Sequence, residues 1–351
     1  MRTALKSKSI VDEDVILVVE RCKKLWEALR GARIFITGGT GFFGCWLLRT
    51  LIEANRLYNL QAKAVVLTRN AGGFAKTHAE LAQAEEISFH KGEITKFEFP
   101  AGEFSHAIHA ASELSRPNHP NPDALIESTR TGCRRIFKFA AQHGVQTVLY
   151  TSSGAVYPQR KFGTALAEED ADQQEAPSHA HATYGEAKKA GEQVCLDEAT
   201  VTNVSVKIAR GFAFYGPYLP LESHLAAPSF LNSALRGEKI IIQGQGQNVR
   251  SYLYGADLAQ WLWTILLKGQ NGRSYNVGSD VPLTIRALAE SIQEACGLQA
   301  GVDVRQSSCP EKEIEYYVPN IQRAKRELGL DVFTKLKQGM LRTFQHHRKA
   351  Q

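Results

Sequence analysis

Tyr184 and Lys188, a tyrosine and a lysine four residues apart, are the side chains in this sequence that best suit acid–base chemistry. On a helix this spacing places both side chains on one face. Hydride transfer to or from a carbon that bears a hydroxyl needs a group that moves the hydroxyl proton, and a nearby cation helps a tyrosine to do this. An ammonium about 5 Å away contributes roughly 3 kcal/mol at an effective dielectric constant of about 20. The pair predicts proton transfer coupled to hydride transfer, although Y-x-x-x-K alone is frequent by chance.

Two serines, Ser152 and Ser153, stand at the end of a segment over residues 146–152 that predicts a strand. Ligands of open α/β sheets bind outside the carboxyl ends of the strands. A serine hydroxyl at that edge would hydrogen-bond a substrate oxygen and hold it in line with the tyrosine. We therefore predict that Ser152 and Ser153 bind substrate.

A glycine-rich turn supplies the second requirement of hydride chemistry, a cofactor site. A short apolar run over residues 34–37 precedes it and a helical apolar pattern follows it, which is the strand, turn and helix context of a dinucleotide-binding motif. Glycines make the turn, admit a pyrophosphate to the backbone and let the helix lie close to the strand. The residues predicted to bind cofactor here are Gly38, Gly39, Gly41, Phe42, Phe43 and Gly44.

The end of the second predicted strand indicates which dinucleotide is favoured. An acidic residue there would bind the ribose hydroxyls of NAD, whereas an arginine accommodates the 2′-phosphate of NADP. The tip of this strand contains Thr68 and Arg69 and no carboxylate. We therefore predict that Thr68 and Arg69 contact the cofactor and that NADP(H) is favoured, with NAD(H) as the alternative.

Composition restricts the class of protein. The chain has 351 residues, of which 43% are hydrophobic and 22% charged, as in ordinary globular proteins. Its six cysteines are scattered, which argues against a zinc site or a disulfide framework and favours a reducing, cytoplasmic compartment. No apolar run reaches the roughly 18 residues of a membrane span, and acidic residues near the start break the apolar core of any signal peptide. The net charge of +6 comes with no nucleic-acid-binding motif. We expect no metal, nucleic-acid or membrane binding.

The elements that must position these residues alternate between strand and helix. Strand patterns such as residues 62–69 alternate with helical patterns such as residues 123–143, which predicts an α/β, Rossmann-type, doubly wound parallel sheet with a smaller C-terminal substrate lobe. We divide the chain into a helical extension (1–30), a dinucleotide-binding domain (31–210) and a mainly substrate-binding lobe (211–351) interleaved with the last Rossmann elements. In the extension, apolar residues through Trp26 predict one amphipathic helix capped by Gly31. Asp257 is predicted to cap a later helix.

Beyond single motifs, the sequence resembles the extended short-chain dehydrogenases, in the NAD-dependent epimerase/dehydratase group that acts on nucleotide sugars. The resemblance covers roughly residues 33–345. It rests on the glycine turn at 37–44, His109-Ala-Ala111, the 150–157 segment, Tyr184 to Lys188, Arg210, the 214–217 segment and Arg250-Ser-Tyr252.

The resemblance implies a role for each matching residue. Tyr184 would be the acid/base, Lys188 its activator and a ribose ligand, and Ser153 the hydroxyl that orients the substrate. Arg250 would contact the diphosphate of a nucleotide sugar, which suits guanidinium geometry. Further cofactor contacts are implied for Glu93, Ile94, Ala110 and Ala111, and the family's usual assembly implies a homodimer.

Departures from the family pattern reduce the number of candidate reactions. Dehydratases of the family carry an Asp-Glu pair directly after the active hydroxyl, whereas this chain has Gly154 and Ala155, which have no proton to give. Decarboxylases usually keep a glutamate at the second position, so they are disfavoured too. His224 and Leu225 lie near the place of a further epimerase residue and are assigned to substrate binding, with a non-catalytic histidine as the equal alternative.

These residues predict an NAD(P)-dependent enzyme that performs hydride chemistry on a nucleotide sugar. The missing acid pair and Arg69 favour a 4-keto-sugar reductase that uses NADPH. A C4 epimerase that retains NAD needs the same Tyr184, Lys188 and Ser153 and is the alternative. A non-catalytic redox sensor is the alternative of another class, and it would not need Tyr184 or Lys188.

Overall fold

In the part of the chain that the structure describes, seven parallel strands form the central sheet. The computed structural model describes residues 9–111, 121–158, 160–161, 182–223, 225–305 and 314–350. The strands are β1 (Arg33–Thr37), β2 (Lys63–Thr68), β3 (Ile87–Lys91), β4 (His106–His109), β5 (Thr147–Ser153), β7 (Ser205–Gly211) and β12 (Arg273–Val277). They lie in the order β12-β7-β5-β4-β1-β2-β3, and each neighbouring pair is parallel. The order reverses direction at β1, so the predicted Rossmann-type doubly wound sheet is confirmed.

Helices cover both faces of this sheet. The α-helices of the described residues are α1 (Ile10–Arg21), α2 (Phe42–Tyr58), α3 (Ala71–Thr77), α4 (Ala79–Ala82), α5 (Pro122–Gln142), α6 (Ala182–Thr202), α7 (Ala226–Leu235), α8 (Gly255–Lys268), α9 (Ile285–Cys296), α10 (Gln322–Leu328) and α11 (Leu336–Ala350). Ile34 and Ile36 of β1 pack with α1, α2 and α8, whereas Phe35 packs with α5 and α6. Because both faces are covered, β1 is apolar at successive positions rather than alternating.

Smaller sheets built mainly from the second half of the chain lie beside the central one. Their strands are β6 (Arg160–Lys161), β8 (Phe214–Tyr215), β9 (Ile240–Gln243), β10 (Val249–Arg250), β11 (Leu253–Tyr254), β13 (Leu283–Thr284), β14 (Val302–Arg305) and β15 (Glu315–Tyr317). The largest of these sheets has the order β13-β10-β15-β6. The central strand β12 also comes from the second half of the chain and pairs with β7. The predicted domain boundaries at residues 30 and 210 stay predictions.

The N-terminal segment is helical but bends earlier than predicted. Helix α1 begins with a capping box between Ser9 and Asp12 and ends at Arg21, and a separate 3-10 helix follows at Trp26–Leu29. The single helix predicted through Trp26 is therefore wrong. The indole Nε1 of Trp26 donates to the backbone oxygen of Val19 at 2.8 Å, and the ring is fully buried. The chain must turn back after α1 to bury this ring.

The predicted helix-capping role of Asp257 is also wrong. The N-cap of α8 is Tyr254, and Asp257 lies in the first turn of the helix. Its buried carboxylate accepts hydrogen bonds from the backbone N–H groups of Phe333 and Thr334 at 3.0 and 2.7 Å. Asp257 therefore joins α8 to the loop before α11, a partner too distant in sequence for a local pattern to indicate.

No helix within the described residues combines the length and the apolar character that crossing a membrane requires.

Candidate active site

The glycine turn between β1 and α2 is packed so closely that three of its glycines, Gly38, Gly39 and Gly44, leave no room for a side chain. A Cβ on Gly39 would lie 2.7 Å from Cγ1 of Val66, and a Cβ on Gly44 would overlap the backbone of Gly39. Gly38 has a φ of +72°, a conformation that favours glycine. The predicted strand, turn and helix are therefore present, and the turn holds α2 against the sheet.

Gly41 differs from these glycines because the space around its Cα is open. It is the N-cap of α2, no side chain caps this end of the helix, and the closest atom to an added Cβ is the Gly38 oxygen at 3.4 Å. Backbone N–H groups and the positive end of the helix dipole at such a terminus attract phosphate. Phe43 packs edge-on against Phe214 with ring centroids 5.0 Å apart, and Phe42 is half-buried. The turn therefore fits the pyrophosphate of a dinucleotide.

The tip of β2 carries a cation and no carboxylate. Thr68 is buried at the end of the strand, and Arg69 after it is exposed. Asn70 caps α3 by accepting a hydrogen bond from the N–H of Gly73 at 2.8 Å. Arg69 is thus the charged side chain at the strand tip, as the sequence indicated.

The remaining predicted cofactor residues follow the neighbouring strands. The N–H groups of Ala110 and Ala111 donate to the backbone oxygen and the hydroxyl of Thr37, each at 3.1 Å, which fixes the segment after β4 beside the turn. Glu93 is exposed and Ile94 is half-buried in the segment after β3. The structure thus places all of these residues at the carboxyl edge of the sheet.

Tyr184 and Lys188 lie together at the start of α6. Lys188 exposes only 4% of its surface, and its Nζ donates to the backbone oxygen of Thr151 at 2.8 Å. The same Nζ lies 5.8 Å from the centroid of the Tyr184 ring and 5.0 Å from that of Tyr150. The hydrogen bond brings the lysine and tyrosine of α6 to the end of β5.

Both predicted serines end β5 next to this lysine. The Oγ of Ser153 accepts a hydrogen bond from the N–H of Ala155 at 3.2 Å. Ser152 exposes 6% of its surface, and its buried Oγ has no hydrogen-bond partner among the described residues. A buried hydroxyl without a partner is uncommon and is satisfied when a ligand or water supplies one.

Tyr317 also reaches this site, although no sequence motif indicated it. Its hydroxyl lies 2.7 Å from the position that a Cβ on Gly154 would take, and its ring packs on Phe212 with centroids 4.7 Å apart. Burial raises the pKa of Tyr317 above the ordinary tyrosine value, and hydrogen bonding with Ser153 opposes this effect. Tyr317 belongs to β15, so only the folded chain brings it to β5.

Of the substrate-binding residues predicted in the second half of the chain, the structure places Arg250 beside the site. Arg250 lies beside Tyr317, with its guanidinium 5.5 Å from the ring centroid, and forms an ion pair with Glu315. Leu225 precedes α7 and is exposed. His224 lies outside the described residues.

A buried ion pair joins α6 to β7 one helical turn after Lys188. Arg210 of β7 donates from Nε and Nη2 to the carboxylate of Glu192 at 2.9 and 2.7 Å. Its Nη1 donates to the hydroxyl of Tyr157, which in turn donates to Asn276. Burial lowers the pKa of Arg210, but Glu192 outweighs it and leaves the pKa above the ordinary value. The resemblance included Arg210 but missed Glu192, which its position four residues after Lys188 could have indicated.

Comparison with known proteins shows which family the chain belongs to. The sequence profile of the NAD dependent epimerase/dehydratase family matches residues 34–278. This chain belongs to that family. The predicted resemblance is therefore confirmed.

Individual relatives of the family differ in activity. The chain is 25% identical over 312 residues to UDP-glucuronic acid decarboxylase 6 of Arabidopsis thaliana, covering 88% of this chain and 86% of that one. Among solved structures it resembles an NAD-bound dTDP-glucose 4,6-dehydratase of Streptomyces venezuelae (23% identity, TM-score 0.73, 90% and 97% covered). It also resembles a UDP-N-acetylglucosamine 4-epimerase of Methanobrevibacter ruminantium M1 (18% identity, TM-score 0.77, 91% and 99% covered). The two structures show a shared fold.

Buried thiols lie beneath the site of this family member. Cys133 of α5 and Cys195 of α6 are both fully buried. A hydrogen bond between them lowers the pKa of Cys133, and burial raises that of Cys195, so Cys195 keeps its proton. The five cysteines in the described part of the chain are free thiols, and no group of metal-binding side chains occurs there.

Proposed function

We propose that the protein transfers a hydride at a ring carbon, C4, of a nucleotide-activated sugar. The observation that carries this proposal is the convergence of Tyr184, Lys188 and Ser153 at the end of β5, on the same sheet edge as the glycine turn. Tyr184 would move the proton of the sugar hydroxyl, and Ser153 would hydrogen-bond the same oxygen. Lys188 would favour the phenolate of Tyr184 and bind the cofactor ribose.

A nicotinamide dinucleotide, when bound, supplies or accepts the hydride. The residues present fit such a group: Gly41 leaves the start of α2 open for the pyrophosphate, and no side chain caps that end of the helix. The family is NAD-dependent by its description. Arg69, exposed at the tip of β2, supports a preference of this chain for NADP(H).

The chain is similar to decarboxylases, dehydratases and epimerases alike, so similarity leaves the reaction type open. The two residues that follow Ser153 favour some of these reactions over others. Gly154 and Ala155 have no proton to give, so dehydration lacks the Asp-Glu pair expected of it and decarboxylation lacks the glutamate expected at the second position. A 4-keto-sugar reductase needs only Tyr184, Lys188 and Ser153, and Arg69 supports reduction with NADPH. A C4 epimerase uses the same three side chains and is the second candidate.

The remaining parts of the proposal concern substrate, assembly and compartment. Arg250 would bind the diphosphate of the nucleotide, with Glu315 as its partner when substrate is absent. Helices α5 and α6, which pack on each other, would form the interface of a homodimer. Free buried thiols suit a reducing compartment such as the cytoplasm.

The first experiment identifies the cofactor. Mass spectrometry and absorbance of the purified protein show what it retains, and titration with NADH and NADPH follows. An empty site that prefers NADPH supports the reductase, and retained NAD supports the epimerase. Failure to bind either dinucleotide would overturn both.

The second experiment identifies the reaction. The protein is incubated with UDP- and dTDP-activated 4-keto-sugars and NADPH while absorbance at about 340 nm is followed, and with UDP- and dTDP-hexoses while proton NMR reports inversion at C4. A Tyr184→Phe variant should bind cofactor normally and lose several orders of magnitude in turnover. Unchanged turnover would exclude the proposed proton transfer.

A further inference from the structure

The buried ammonium of Lys188 is compensated by a carbonyl and two aromatic rings rather than by a carboxylate. Lys188 exposes 4% of its surface, and its Nζ donates to the backbone oxygen of Thr151 at 2.8 Å. In the described part of the chain no acidic side chain pairs with it, and the carboxylate of Glu192, one helical turn further on, is paired with Arg210. A buried cation with three N–H donors needs more compensation than one carbonyl gives.

Tyr150 of β5 supplies the nearer of the two rings. The Nζ of Lys188 lies over its face, 5.0 Å from the ring centroid, compared with 5.8 Å for the ring of Tyr184. The face of an aromatic ring attracts a cation within about 6 Å, and more strongly where water is excluded. Tyr150 is fully buried, so water is excluded from this contact.

The neighbours of Tyr150 hold its ring in place. The His109 ring lies 5.4 Å from it between centroids, and Nδ1 of His109 shares a hydrogen bond of 2.8 Å with Oγ1 of Thr37. A Cβ on Gly191 would lie 2.3 Å from the Tyr150 oxygen, so only glycine lets the ring lie against α6 three residues after Lys188. The buried hydroxyl of Tyr150 has no hydrogen-bond partner among the described residues. What Tyr150 contributes to Lys188 is therefore its ring.

We propose that Tyr150 is a positioning residue whose ring holds the Lys188 ammonium in place and stabilises its charge without adding an anion beside Tyr184. This inference rests on the proposed function, in which Lys188 favours the phenolate of Tyr184.

The advantage of a ring over a carboxylate lies in its lack of net charge. A carboxylate beside Lys188 would also stabilise the ammonium, but its negative charge would oppose ionisation of Tyr184. Burial raises the pKa of Tyr150 well above the ordinary tyrosine value, so this phenol stays uncharged at neutral pH. The ring thus compensates the buried cation and leaves its positive charge available to Tyr184.

The first test measures the contact between ring and ammonium and needs no substrate. Phenylalanine and its mono-, di- and trifluorinated forms are incorporated at position 150, in the wild-type and in the Lys188→Met background, and urea unfolding is measured. Fluorine withdraws electron density from the face of the ring and changes its shape little. With Lys188 present, the unfolding equilibrium constant should rise stepwise along the series, by about tenfold in total, as expected for a desolvated cation–π contact.

In the Lys188→Met background the same series should change the unfolding equilibrium constant little, because the cation is gone. The matched control is the same series at Phe137, a buried ring of α5 in the same core cluster, which should have equal effects in both backgrounds. Equal effects of the Tyr150 series in both backgrounds would overturn the inference and leave the ring a packing role.

The second test measures the consequence for the reaction. The same proteins are assayed with NADPH and the UDP- or dTDP-activated sugar on which the wild type is most active. Along the Tyr150 series kcat should fall stepwise, by about fivefold in total, because a less firmly held ammonium is less often beside Tyr184. The KM for the sugar should change little, since Tyr150 is buried away from substrate.

The outcomes separate this inference from the proposed function. A constant kcat along the Tyr150 series would overturn the positioning role, even if the unfolding cycle shows the contact. If Lys188→Met keeps full turnover, the proposed function itself fails. Loss of turnover in Lys188→Met with none along the Tyr150 series rejects only the role of Tyr150.

Discussion

The ammonium of Lys188 donates a hydrogen bond of 2.8 Å to the backbone oxygen of Thr151. This bond joins α6 to β5 one residue before the two serines, and it gives a buried cation the acceptor that it needs. Because Tyr184 lies on the same face of the helix, the bond also sets the distance between the tyrosine and Ser153. The relative position of the three predicted catalytic groups therefore depends on Lys188.

Replacement of Lys188 by methionine should reduce turnover at least about 100-fold, since a cation worth roughly 3 kcal/mol to the phenolate is removed. Dinucleotide affinity should also fall, because a ribose ligand is lost. Lys189→Met, at the next position of α6, is the control and should leave both quantities near wild type. Steady-state kinetics and cofactor titration measure the two effects. Equal kinetics in both variants would argue against the role of Lys188.

Two glycines of the turn should respond differently to alanine. Gly44→Ala places a Cβ against the backbone of Gly39 and should destabilise the fold by roughly 1–3 kcal/mol through overpacking. Gly41→Ala meets no atom closer than 3.4 Å and should unfold like wild type while binding dinucleotide more weakly. Urea unfolding and cofactor titration separate the two. Normal cofactor binding by Gly41→Ala would place the pyrophosphate elsewhere.

Glu192→Gln should be strongly destabilising, because it leaves the buried Arg210 guanidinium without its carboxylate. Removal of one partner of a buried ion pair costs about 3–5 kcal/mol, whereas replacing both by apolar groups is tolerated better. The matched variant Glu192→Leu with Arg210→Met should therefore lose less stability than Glu192→Gln alone. Urea unfolding at neutral pH gives both values, and a cost below about 1 kcal/mol for the single change would contradict this.

Asp14 should make the stability of the protein depend on pH between about 4 and 6. It accepts a hydrogen bond from the Tyr254 hydroxyl at 2.7 Å and pairs with Arg342, but burial outweighs both and raises its pKa to about 6 from the ordinary value of 3.8. A raised carboxyl pKa contributes stability that is complete below about pH 4 and is lost as the pH rises through about 6. Asp14→Asn cannot ionise.

The free energy of unfolding of Asp14→Asn minus that of wild type should therefore increase by roughly 3 kcal/mol from pH 4 to pH 7. Only this change with pH is predicted, since any difference in packing and hydrogen bonding between the neutral carboxyl and the amide shifts both ends equally. Thermal or urea unfolding at several pH values measures it. A difference that stays constant, or decreases with pH, would show that the partners outweigh burial.

Arg69→Ala should weaken NADPH binding about tenfold or more and leave NADH binding unchanged, because only NADPH carries the 2′-phosphate. Lys63→Ala, at the other end of β2, is the control for a general change in charge. Fluorescence titration with both dinucleotides measures the affinities. Equal losses for NADPH and NADH would assign Arg69 to another part of the cofactor.

Features that depend on residues close in sequence were predictable. The turn at residues 38–44 and the pair Tyr184 and Lys188 are recognisable because strand, turn and helix each impose a short period on the side chains. The order of these elements also indicated a doubly wound sheet, since parallel strands need helical crossovers. The bend after Arg21 was missed because burial of Trp26, not local helix preference, ends α1.

Contacts between distant segments were decided only by the tertiary structure. Tyr317 meets Gly154, Glu192 meets Arg210, and Asp257 meets the loop before α11 because the folded chain brings these segments together. No local period encodes such partners; they follow from which buried polar groups must satisfy one another once the apolar faces have packed. The sequence alone thus determined the family, the fold class and the predicted catalytic side chains, and the tertiary structure determined which residues surround and orient them.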